Sequence, residues 1–339
     1  MHLLVIRTSS MGDVALTTPA IASLREQYPE IEITLLTRPA FMPFFYGMPG
    51  LQVFPADFEK RHKGFLGIFR LFSDLDKKVK IDHIIDLHDV IRSKILRWIF
   101  RLSGVPASVI DKGRSEKKSL IKGKRKVRLK HTVQRYLDVF TRAGFPVMPV
   151  GGPFIIPPPE DFPKEAFIAG MLNIGVAPYA KHALKMWPEE YMTRLLAMIS
   201  KHHKVKFWLF GGREDIERME AFSNKVPGSA IVAGSHTLSE ELALMSKLDF
   251  MITMDSANMH MASLVGIRVV SIWGGTDPLA GFGACHQPDE FSIRIPVEEL
   301  TCRPCTIYGK SKCKRGDFAC MKWLTPEKVY EKMISLKII

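Results

Sequence analysis

Residues 250–278 read FMITMDSANMHMASLVGIRVVSIWGGTDP, and this stretch decides the fold. An apolar run ends in Asp255 and Ser256, a segment of helical spacing carries His260, and a second apolar run ends in Gly274-Gly275. The pattern predicts strand, polar turn, helix, strand and polar turn. In open α/β sheets, ligands bind beyond the carboxyl ends of the strands, and a helix start offers free N–H groups to an anion. The stretch therefore predicts a site for an anionic group such as a phosphate.

Both halves of the chain repeat this alternation. Apolar runs at residues 3–7 and 81–87 precede segments of helical spacing, and residues 171–177 begin the same order again. Strands that alternate with helices indicate a mostly parallel sheet. We therefore expect an α/β protein with two doubly wound, Rossmann-like domains that face each other across a cleft.

The strongest break in the chain is rich in glycine and proline and ends in Pro157-Pro158-Pro159. We place the domain boundary there, with one domain over residues 1–158 and the other over residues 159–339. Thr325-Pro326 has the signature of a helix start. We expect this final helix to pack back on the N-terminal domain.

The composition is that of a soluble globular protein, because 46% of the 339 residues are hydrophobic and 24% are charged. No apolar run approaches the roughly 20 residues that a membrane span needs. The apolar stretch at the N-terminus is too short for a signal peptide, so the cytoplasm is the expected compartment. Five cysteines do not indicate a disulfide framework there.

The net charge of +13 is concentrated in one segment. Residues 111–130, here called the basic block, hold ten Lys or Arg and two acidic residues, so the net charge of the block is +8. Such a block attracts nucleic acid, anionic lipid headgroups or a phosphorylated substrate. The alternative interpretation is a solvated, mobile loop.

Several polar residues at predicted strand ends are candidates for chemistry. Asp13, after Gly12, is either a general base or a cap that satisfies the first N–H groups of a helix. Lys185 is either a cation for a diphosphate or a surface lysine beside a core tryptophan. His260 is either a ligand contact or a satisfied core histidine, and Glu214 is either a ribose acceptor or a helix-start acid. Neither a dinucleotide-binding G-x-G-x-x-G after the first strand nor a P-loop is present.

These pieces together resemble glycosyltransferase family 9, the lipopolysaccharide heptosyltransferases. The matching motifs run in order over nearly the whole chain: Arg7-x5-Gly12-Asp13, Lys185-x-Trp187-Pro188, Gly211-x2-Glu214, Asp255-Ser256-x3-His260 and Gly275-Thr276-Asp277-Pro278. The resemblance implies the GT-B fold and an inverting transfer of heptose from ADP-heptose to the inner core of a lipopolysaccharide precursor. It implies no required cofactor and no catalytic metal.

The resemblance also implies roles for individual residues. Asp13 resembles the general base, and Lys185 the lysine that contacts the donor phosphates. The donor-binding residues are expected to be Lys181, Glu214, His236, Asp255, Ser256, Ala257 and His260. The family commonly has glycine where this chain has Ala257, which we expect to tighten the phosphate turn slightly. The family often has Ser or Thr before its lysine, where this chain has Ala180-Lys181, so the identity of the donor is less certain.

The acceptors of the resembling family are anionic, phosphorylated, lipid-linked sugars in the inner leaflet. We expect the acceptor to contact Gly12, Lys60, Arg61, Lys63, Arg92 and Lys94, and the basic block to lie in the same N-terminal half. Residues 65–72, FLGIFRLF, either dip into the membrane interface or form a core helix. The expected protein is cytoplasmic and peripherally associated with the inner membrane.

Four cysteines near the C-terminus follow the spacing C-x2-C-x7-C-x6-C from Cys302 to Cys320. This spacing is compatible with a structural metal in thiolate coordination, and the alternatives are reduced thiols or a labile disulfide. Nearby cations at Lys310, Lys312, Lys314 and Arg315 are expected to lower the thiol pKa values.

Two other functions compete with heptose transfer. A related transferase that uses another nucleotide sugar or glycan acceptor fits the same motifs. A nucleic-acid or anionic-surface binding protein explains the basic block but not the donor motifs, and aromatic residues do not alternate with the basic ones as a stacking platform requires. We therefore expect no nucleic-acid partner.

Overall fold

The computed structural model describes residues 1–124, 126–162, 167 and 170–339. By its contacts the chain divides into two compact units. The first unit comprises Met1–Lys112 and Thr132–Ile156, and the second comprises Gly113–His131 and Pro157–Ile339. Arg125 of the basic block lies outside the described residues.

Each unit is built on a parallel sheet, as the sequence predicts. The first sheet has the order β3-β2-β1-β4-β5 and the second the order β11-β10-β9-β6-β7-β8. The strands are β1 (His2–Ile6), β2 (Glu32–Thr37), β3 (Leu51–Pro55), β4 (His83–Asp86), β5 (Ala107–Val109), β6 (Leu172–Ala177), β7 (Val205–Leu209), β8 (Ala230–Ile231), β9 (Phe250–Met254), β10 (Arg268–Ile272) and β11 (Ser292–Ile293). The central strands β1 and β9 are buried along their whole length, as expected for strands covered on both faces.

Helices connect the strands in both units. They are α1 (Met11–Ala15), α2 (Thr17–Gln27), α3 (Gly64–Asp76), α4 (Ile91–Leu102), α5 (Arg114–Ile121), α6 (Thr132–Arg142), α7 (Glu189–His202), α8 (Ile216–Ser223), α9 (Leu238–Met245), α10 (Ala257–Leu264), α11 (Ala319–Lys322) and α12 (Pro326–Ser335). Among the described residues, no helix has both the length and the apolar character that crossing a bilayer requires.

The first helix of the chain is interrupted, whereas its spacing predicts one continuous helix over residues 14–28. It divides at Leu16 into α1 and α2. Pro19 has no N–H for the carbonyl oxygen of Ala15, and the hydroxyl of Thr18 donates to that oxygen instead at 2.8 Å. The break gives Asp13 a short helix of its own.

The final helix packs on α7 within the second unit. The expectation that it packs back on the N-terminal domain stays a prediction. Val329 and Met333 of α12 are fully buried in the core of that unit, together with Leu195 and Ile199 of α7. Burial of this apolar face accounts for the position of the helix.

The basic block differs from its expected place, which was the N-terminal half. Residues 113–131 belong to the second unit, where Leu120 and Leu129 pack with Ala280 and Ile307. Its cations contact the same unit: the Lys117 ammonium lies 4.3 Å from the centre of the Phe282 ring, Lys126 donates to the carbonyl oxygen of Thr301 at 2.7 Å, and Arg128 pairs with Asp289 at 2.5 Å. The described part of the block is therefore a docked segment and not a solvated loop.

Candidate active site

In the second unit, the carboxyl ends of neighbouring strands bring Lys185 and Asp255 together. Lys185 follows β6 and Asp255 follows β9, and these two strands are adjacent in the sheet. The chain leaves β6 toward β7 on one side, while β9 lies on the other, so this is a switch point of the kind where ligands bind. The ammonium nitrogen of Lys185 lies 2.8 Å from Oδ2 of Asp255.

Buried neighbours hold the Lys185 segment in place. Leu184 and Trp187 are buried on either side of it, and the indole N–H of Trp187 donates to the carbonyl oxygen of Leu324 at 2.8 Å. The carbonyl oxygen of Leu184 accepts from the backbone N–H of Gly275 at 2.8 Å, which ties this segment to the turn after β10. Lys185 is therefore fixed relative to two neighbouring loops.

The turn after β9 begins a helix directed at the same edge. Ser256 is the N-cap residue of α10, Ala257 is its first helical residue, and His260 is buried on the same helix. Ala257 is not among the residues with positive φ, so glycine is not required there. A helical backbone accommodates a Cβ atom without strain, and the slight tightening of the phosphate turn expected from alanine stays a prediction.

The other predicted donor residues lie on separate loops of this edge. Glu214 is exposed in the turn after β7, and its carboxylate lies beside Gly212. His236 is half-buried just before α9, and its Nδ1 atom lies 3.4 Å from the carbonyl oxygen of Val232. Lys181 is exposed between β6 and Lys185. These three residues sit at the carboxyl end of the sheet without being part of the Lys185–Asp255 pair.

Arg303 is a buried residue of this region that the sequence motifs do not identify. Its guanidinium group donates to the carbonyl oxygens of Gly274 at 2.6 Å and Thr276 at 3.0 Å, and it pairs with the buried Asp277 at 3.2 Å. It also donates to the carbonyl oxygen of Ile295. Arg303 thus fixes the glycine turn after β10, next to the start of α10.

In the first unit, Asp13 is held by two donors at the carboxyl end of β1. Its Oδ2 atom lies 2.9 Å from the Arg7 guanidinium and accepts from the hydroxyl of Ser10 at 2.6 Å. Arg7 is buried and also donates to the carbonyl oxygen of Leu87 at 2.6 Å. The Asp13 side chain keeps 27% of its surface exposed. The carboxylate is therefore oriented and still accessible, as a general base must be.

His88 is a second residue that the motifs miss. It follows β4, next to β1, and its ring nitrogens lie 3.1 Å from the hydroxyl of Thr8 and 3.2 Å from that of Ser9. Burial, aided by the nearby charges of Arg7 and Lys112, lowers the pKa of His88 to about 3. The imidazole is therefore neutral at pH 7 and supports the Thr8–Ser9 segment that precedes Asp13.

The predicted acceptor cations lie on the segments that follow β3 and β4 in the first unit, and several have partners within it. Arg61 makes two hydrogen bonds of 2.6 Å to Asp74, and these bonds hold the pKa of that carboxyl well below its usual range. Arg92 lies over the Phe58 ring at 4.9 Å, and Lys94 lies 3.8 Å from Asp89. Lys60 and Lys63 are exposed in the loop before α3, and Gly12 is buried in α1.

The C-terminal cysteines surround a cavity of about 280 Å³ in the second unit. Cys302, Cys305, Cys313 and Cys320 all line it and are all free thiols. Burial raises the pKa of Cys305, and raises that of Cys320 to about 11, so the expected lowering by nearby cations does not occur at these two. Within the described ranges, no three His, Cys, Asp or Glu side chains are grouped so as to hold a metal ion. As placed, the thiols do not form a ligand set.

The chain is similar to proteins of one known family. A model described as glycosyltransferase family 9 (heptosyltransferase) matches residues 68–305. The lipopolysaccharide core heptosyltransferase OpsX of Haemophilus influenzae is 23% identical over 288 residues, which cover 82% of this chain and 80% of the relative.

Two solved structures share the fold. A glycosyl transferase family 9 protein from Veillonella parvula has a TM-score of 0.75 at 19% identity, over 99% of this chain and 96% of its own. The E. coli heptosyltransferase WaaC with ADP-2-deoxy-2-fluoro heptose has a TM-score of 0.66 at 17% identity, over 99% of this chain and 100% of its own. The GT-B fold class predicted from the sequence is confirmed.

Proposed function

Because the chain belongs to glycosyltransferase family 9, the heptosyltransferases, we propose that it transfers heptose from ADP-heptose to the inner core of a lipopolysaccharide precursor. The transfer inverts the anomeric carbon. The observation that carries this proposal is the Lys185–Asp255 pair at the switch point of the second sheet, beside the start of α10. The structural relative WaaC, whose structure is described with ADP-2-deoxy-2-fluoro heptose, supports the choice of donor.

On the donor side, the proposal assigns the diphosphate to Lys185 and the first turn of α10. The free backbone N–H groups at Ser256 and Ala257 suit phosphate oxygens, and the ammonium of Lys185 adds a point charge. Asp255 orients Lys185. His260 lies on α10, one turn after the proposed phosphate contacts. Glu214 takes the ribose, His236 lies near the adenine, and Lys181 adds positive charge at the rim.

On the acceptor side, the proposal makes Asp13 the general base. The acceptor hydroxyl gives its proton to the Asp13 carboxylate while its oxygen forms a bond to the anomeric carbon. The bond from that carbon to the diphosphate oxygen breaks, and its electron pair leaves with ADP. Lys185 and the α10 N–H groups stabilise the charge that develops there. Gly12 leaves room for the acceptor beside this carboxylate.

We further propose that transfer needs no metal ion, since Lys185 supplies the positive charge that a cation would supply. The structural metal suggested by the cysteine spacing stays a prediction, and elemental analysis of the purified protein tests it. Activity that survives a chelator supports the metal-free step, whereas activity that returns only with an added divalent cation contradicts it.

The proposed acceptor is phosphorylated and lipid-linked, and the cations Lys60, Arg61, Lys63, Arg92 and Lys94 suit its phosphates. The proposed location is the cytoplasmic face of the inner membrane, with peripheral attachment. Nucleic acid is not part of the proposal, because described cations of the basic block contact the second unit itself. The remaining alternative is a related transferase with another nucleotide sugar or glycan acceptor.

A thermal-shift panel of ADP-heptose and of UDP-, GDP- and CDP-sugars tests the donor. A ligand that binds only the folded state at about 100 times its Kd adds about 2.7 kcal/mol of stability. We expect ADP-heptose alone to stabilise the protein, and Lys185→Met to weaken the effect while the exposed-site variant Lys201→Met retains it. Stabilisation by UDP-sugars alone contradicts the proposed donor.

A further inference from the structure

The outer faces of α3 and α4 expose large apolar side chains that the proposed chemistry does not use. Of the fifteen exposed large hydrophobic residues among those described, six lie on these two helices. They are Phe65, Leu66, Phe69, Ile91, Trp98 and Leu102. Such a concentration is unusual for a surface in contact only with water, and it marks a binding surface.

The two helices lie side by side on one face of the first sheet. Their inner residues share a core with β1 and β4, including Ile68 and Leu71 of α3 and Leu96 of α4, and the Phe72 and Phe100 rings lie 4.7 Å apart. On α4 the exposed residues Ile91, Trp98 and Leu102 are spaced by seven and four positions, so they form one stripe about 16 Å long. Each helix is thus apolar on both faces.

The charge around these apolar residues is positive. Helix α4 contains four basic residues and no acidic ones, and three of the four, Arg92, Lys94 and Arg101, are exposed. Lys63, just before α3, and Arg70, on α3, are also exposed. The two acidic residues of α3 lie near its C-terminal end, and one of them is bound by Arg61.

The surface begins at the edge of the first sheet that carries the proposed base. Both helices start at the carboxyl edge of the first sheet, α3 after β3 and α4 after β4, and Asp13 follows β1 at this edge. Phe65, Leu66 and Ile91 lie in the first turns of their helices. A sugar that projects from a lipid beneath this surface would therefore be near the edge that carries Asp13.

We propose that the outer faces of α3 and α4 dock on a bilayer leaflet rich in anionic phospholipid. The aromatic and aliphatic side chains enter the headgroup region, and the surrounding cations bind lipid phosphates. This inference rests on the proposed function, because a lipid-linked acceptor is what brings the protein to a membrane. The two interpretations of residues 65–72 then both hold, since α3 has a core face and a lipid face.

Two tryptophans make the surface directly testable. Trp98 is 58% exposed on α4 and Trp323 is 45% exposed in the second unit. Vesicles of phosphatidylethanolamine and phosphatidylglycerol with brominated acyl chains quench a tryptophan that enters the bilayer. We expect quenching in the wild type and in Trp323→Phe, and its loss in Trp98→Phe. Quenching that depends on Trp323, or no quenching at all, overturns the proposal.

Vesicle sedimentation separates the apolar and the charged contributions. Leu66 is 70% exposed and Met148, a matched control in the same unit, is 73% exposed. We expect Leu66→Ser to weaken binding on the order of tenfold and Met148→Ser to leave it unchanged. Arg101→Gln should weaken it about fivefold, and only on vesicles that contain phosphatidylglycerol. Equal vesicle binding by Leu66→Ser and Met148→Ser contradicts the proposal. A change in oligomeric state in Leu66→Ser, with no vesicle binding by the wild type, would indicate a protein partner and also contradicts it.

The failure of this inference can be told apart from the failure of the proposed function. Leu66→Ser should transfer heptose to a deacylated, water-soluble acceptor at the wild-type rate and lose activity only on acceptor in vesicles. Transfer without any vesicle binding overturns the docking surface alone. Vesicle binding through Trp98 without transfer to any acceptor overturns the proposed function alone.

Discussion

The two units present opposite partners of two similar ion pairs. Asp13 follows β1 and lies 2.9 Å from Arg7, and Asp255 follows β9 and lies 2.8 Å from Lys185. In the first pair the carboxylate is the more exposed partner, at 27% against 9% for the cation. In the second pair the cation is the more exposed, at 17% against 8% for the carboxylate.

This inversion explains how one local arrangement supports two kinds of chemistry. The partner with access to solvent can meet a ligand, and the buried partner keeps it oriented. A carboxylate presented by a buried arginine suits removal of a proton, and an ammonium presented by a buried carboxylate suits a phosphate. Exchange of either presented group should therefore affect function more than exchange of an exposed group of the same charge elsewhere.

The largest expected effect is that of Asp13→Asn. The amide keeps the shape of the side chain but cannot accept the acceptor proton, so transfer should fall by about 10²- to 10⁴-fold. Binding of ADP-heptose should be unchanged, because the proposed donor contacts lie on the other unit. Steady-state kinetics and calorimetry measure the two effects. Asp76→Asn, on an exposed carboxylate at the end of α3, is the control. A wild-type rate in Asp13→Asn removes Asp13 from the mechanism.

Lys185→Met should have the next largest effect, and on the other half of the reaction. Loss of the ammonium leaves the departing diphosphate without its point charge, so kcat should fall by about 10²- to 10³-fold. Donor affinity should also weaken, unlike in Asp13→Asn. The exposed Lys181 is the matched control, and Lys181→Met should show a smaller loss of both parameters. Equal losses in the two variants would mean that net positive charge near the diphosphate determines the rate, and that the pairing of Lys185 with Asp255 does not.

The third prediction concerns how the free energy of unfolding depends on pH through His88, which lies near the Asp13 segment. His88 has a pKa of about 3 in the folded protein, against about 6.5 unfolded, so the unfolded chain binds the proton first as pH falls. The contribution of neutral His88 is complete above about pH 6.5 and is lost progressively toward pH 3. By pH 5 the loss is about 2 kcal/mol.

His88→Asn removes this titration. Urea unfolding at pH 7 and at pH 5 should therefore show a smaller acid-induced loss of stability in the variant than in the wild type. An equal loss in both proteins would show that groups other than His88 bind the extra protons of the unfolded chain. In that case, stability of the Asp13 segment in acid would not depend on a neutral imidazole at position 88.

Much of the fold, and the pairing of Lys185 with Asp255 in the candidate site, could be predicted because their signals are local. Period and turn residues identify the alternating strands and helices, and the order of polar residues at strand ends identifies Lys185 and Asp255. Adjacent parallel strands then bring those two residues together, although 70 positions separate them in the sequence.

The rest depends on contacts that local patterns do not encode. Arg303 reaches the turn at residues 274–277 from a loop with no periodicity, and its role is visible only in the hydrogen bonds it makes. The basic block is dominated by its charge in the sequence, but Leu120 and Leu129 decide where it docks. His88 follows a predicted strand, yet its neutrality depends on burial and on cations from distant segments.

The smallest expected effect tests whether the presented lysine needs a flexible turn beside it. Ala257 is the first residue of α10 and is half-buried with a helical backbone, so Ala257→Gly should leave the donor Kd nearly unchanged. Glycine costs up to about 1 kcal/mol of stability in a helix, because the unfolded chain has more freedom to lose. Calorimetry with ADP-heptose and thermal unfolding measure the two quantities, with Ala262→Gly in the middle of α10 as the control for helix propensity. A clear gain in donor affinity in Ala257→Gly alone would show that the Cβ atom restricts the diphosphate turn, and that the second pair is presented less favourably than its geometry indicates.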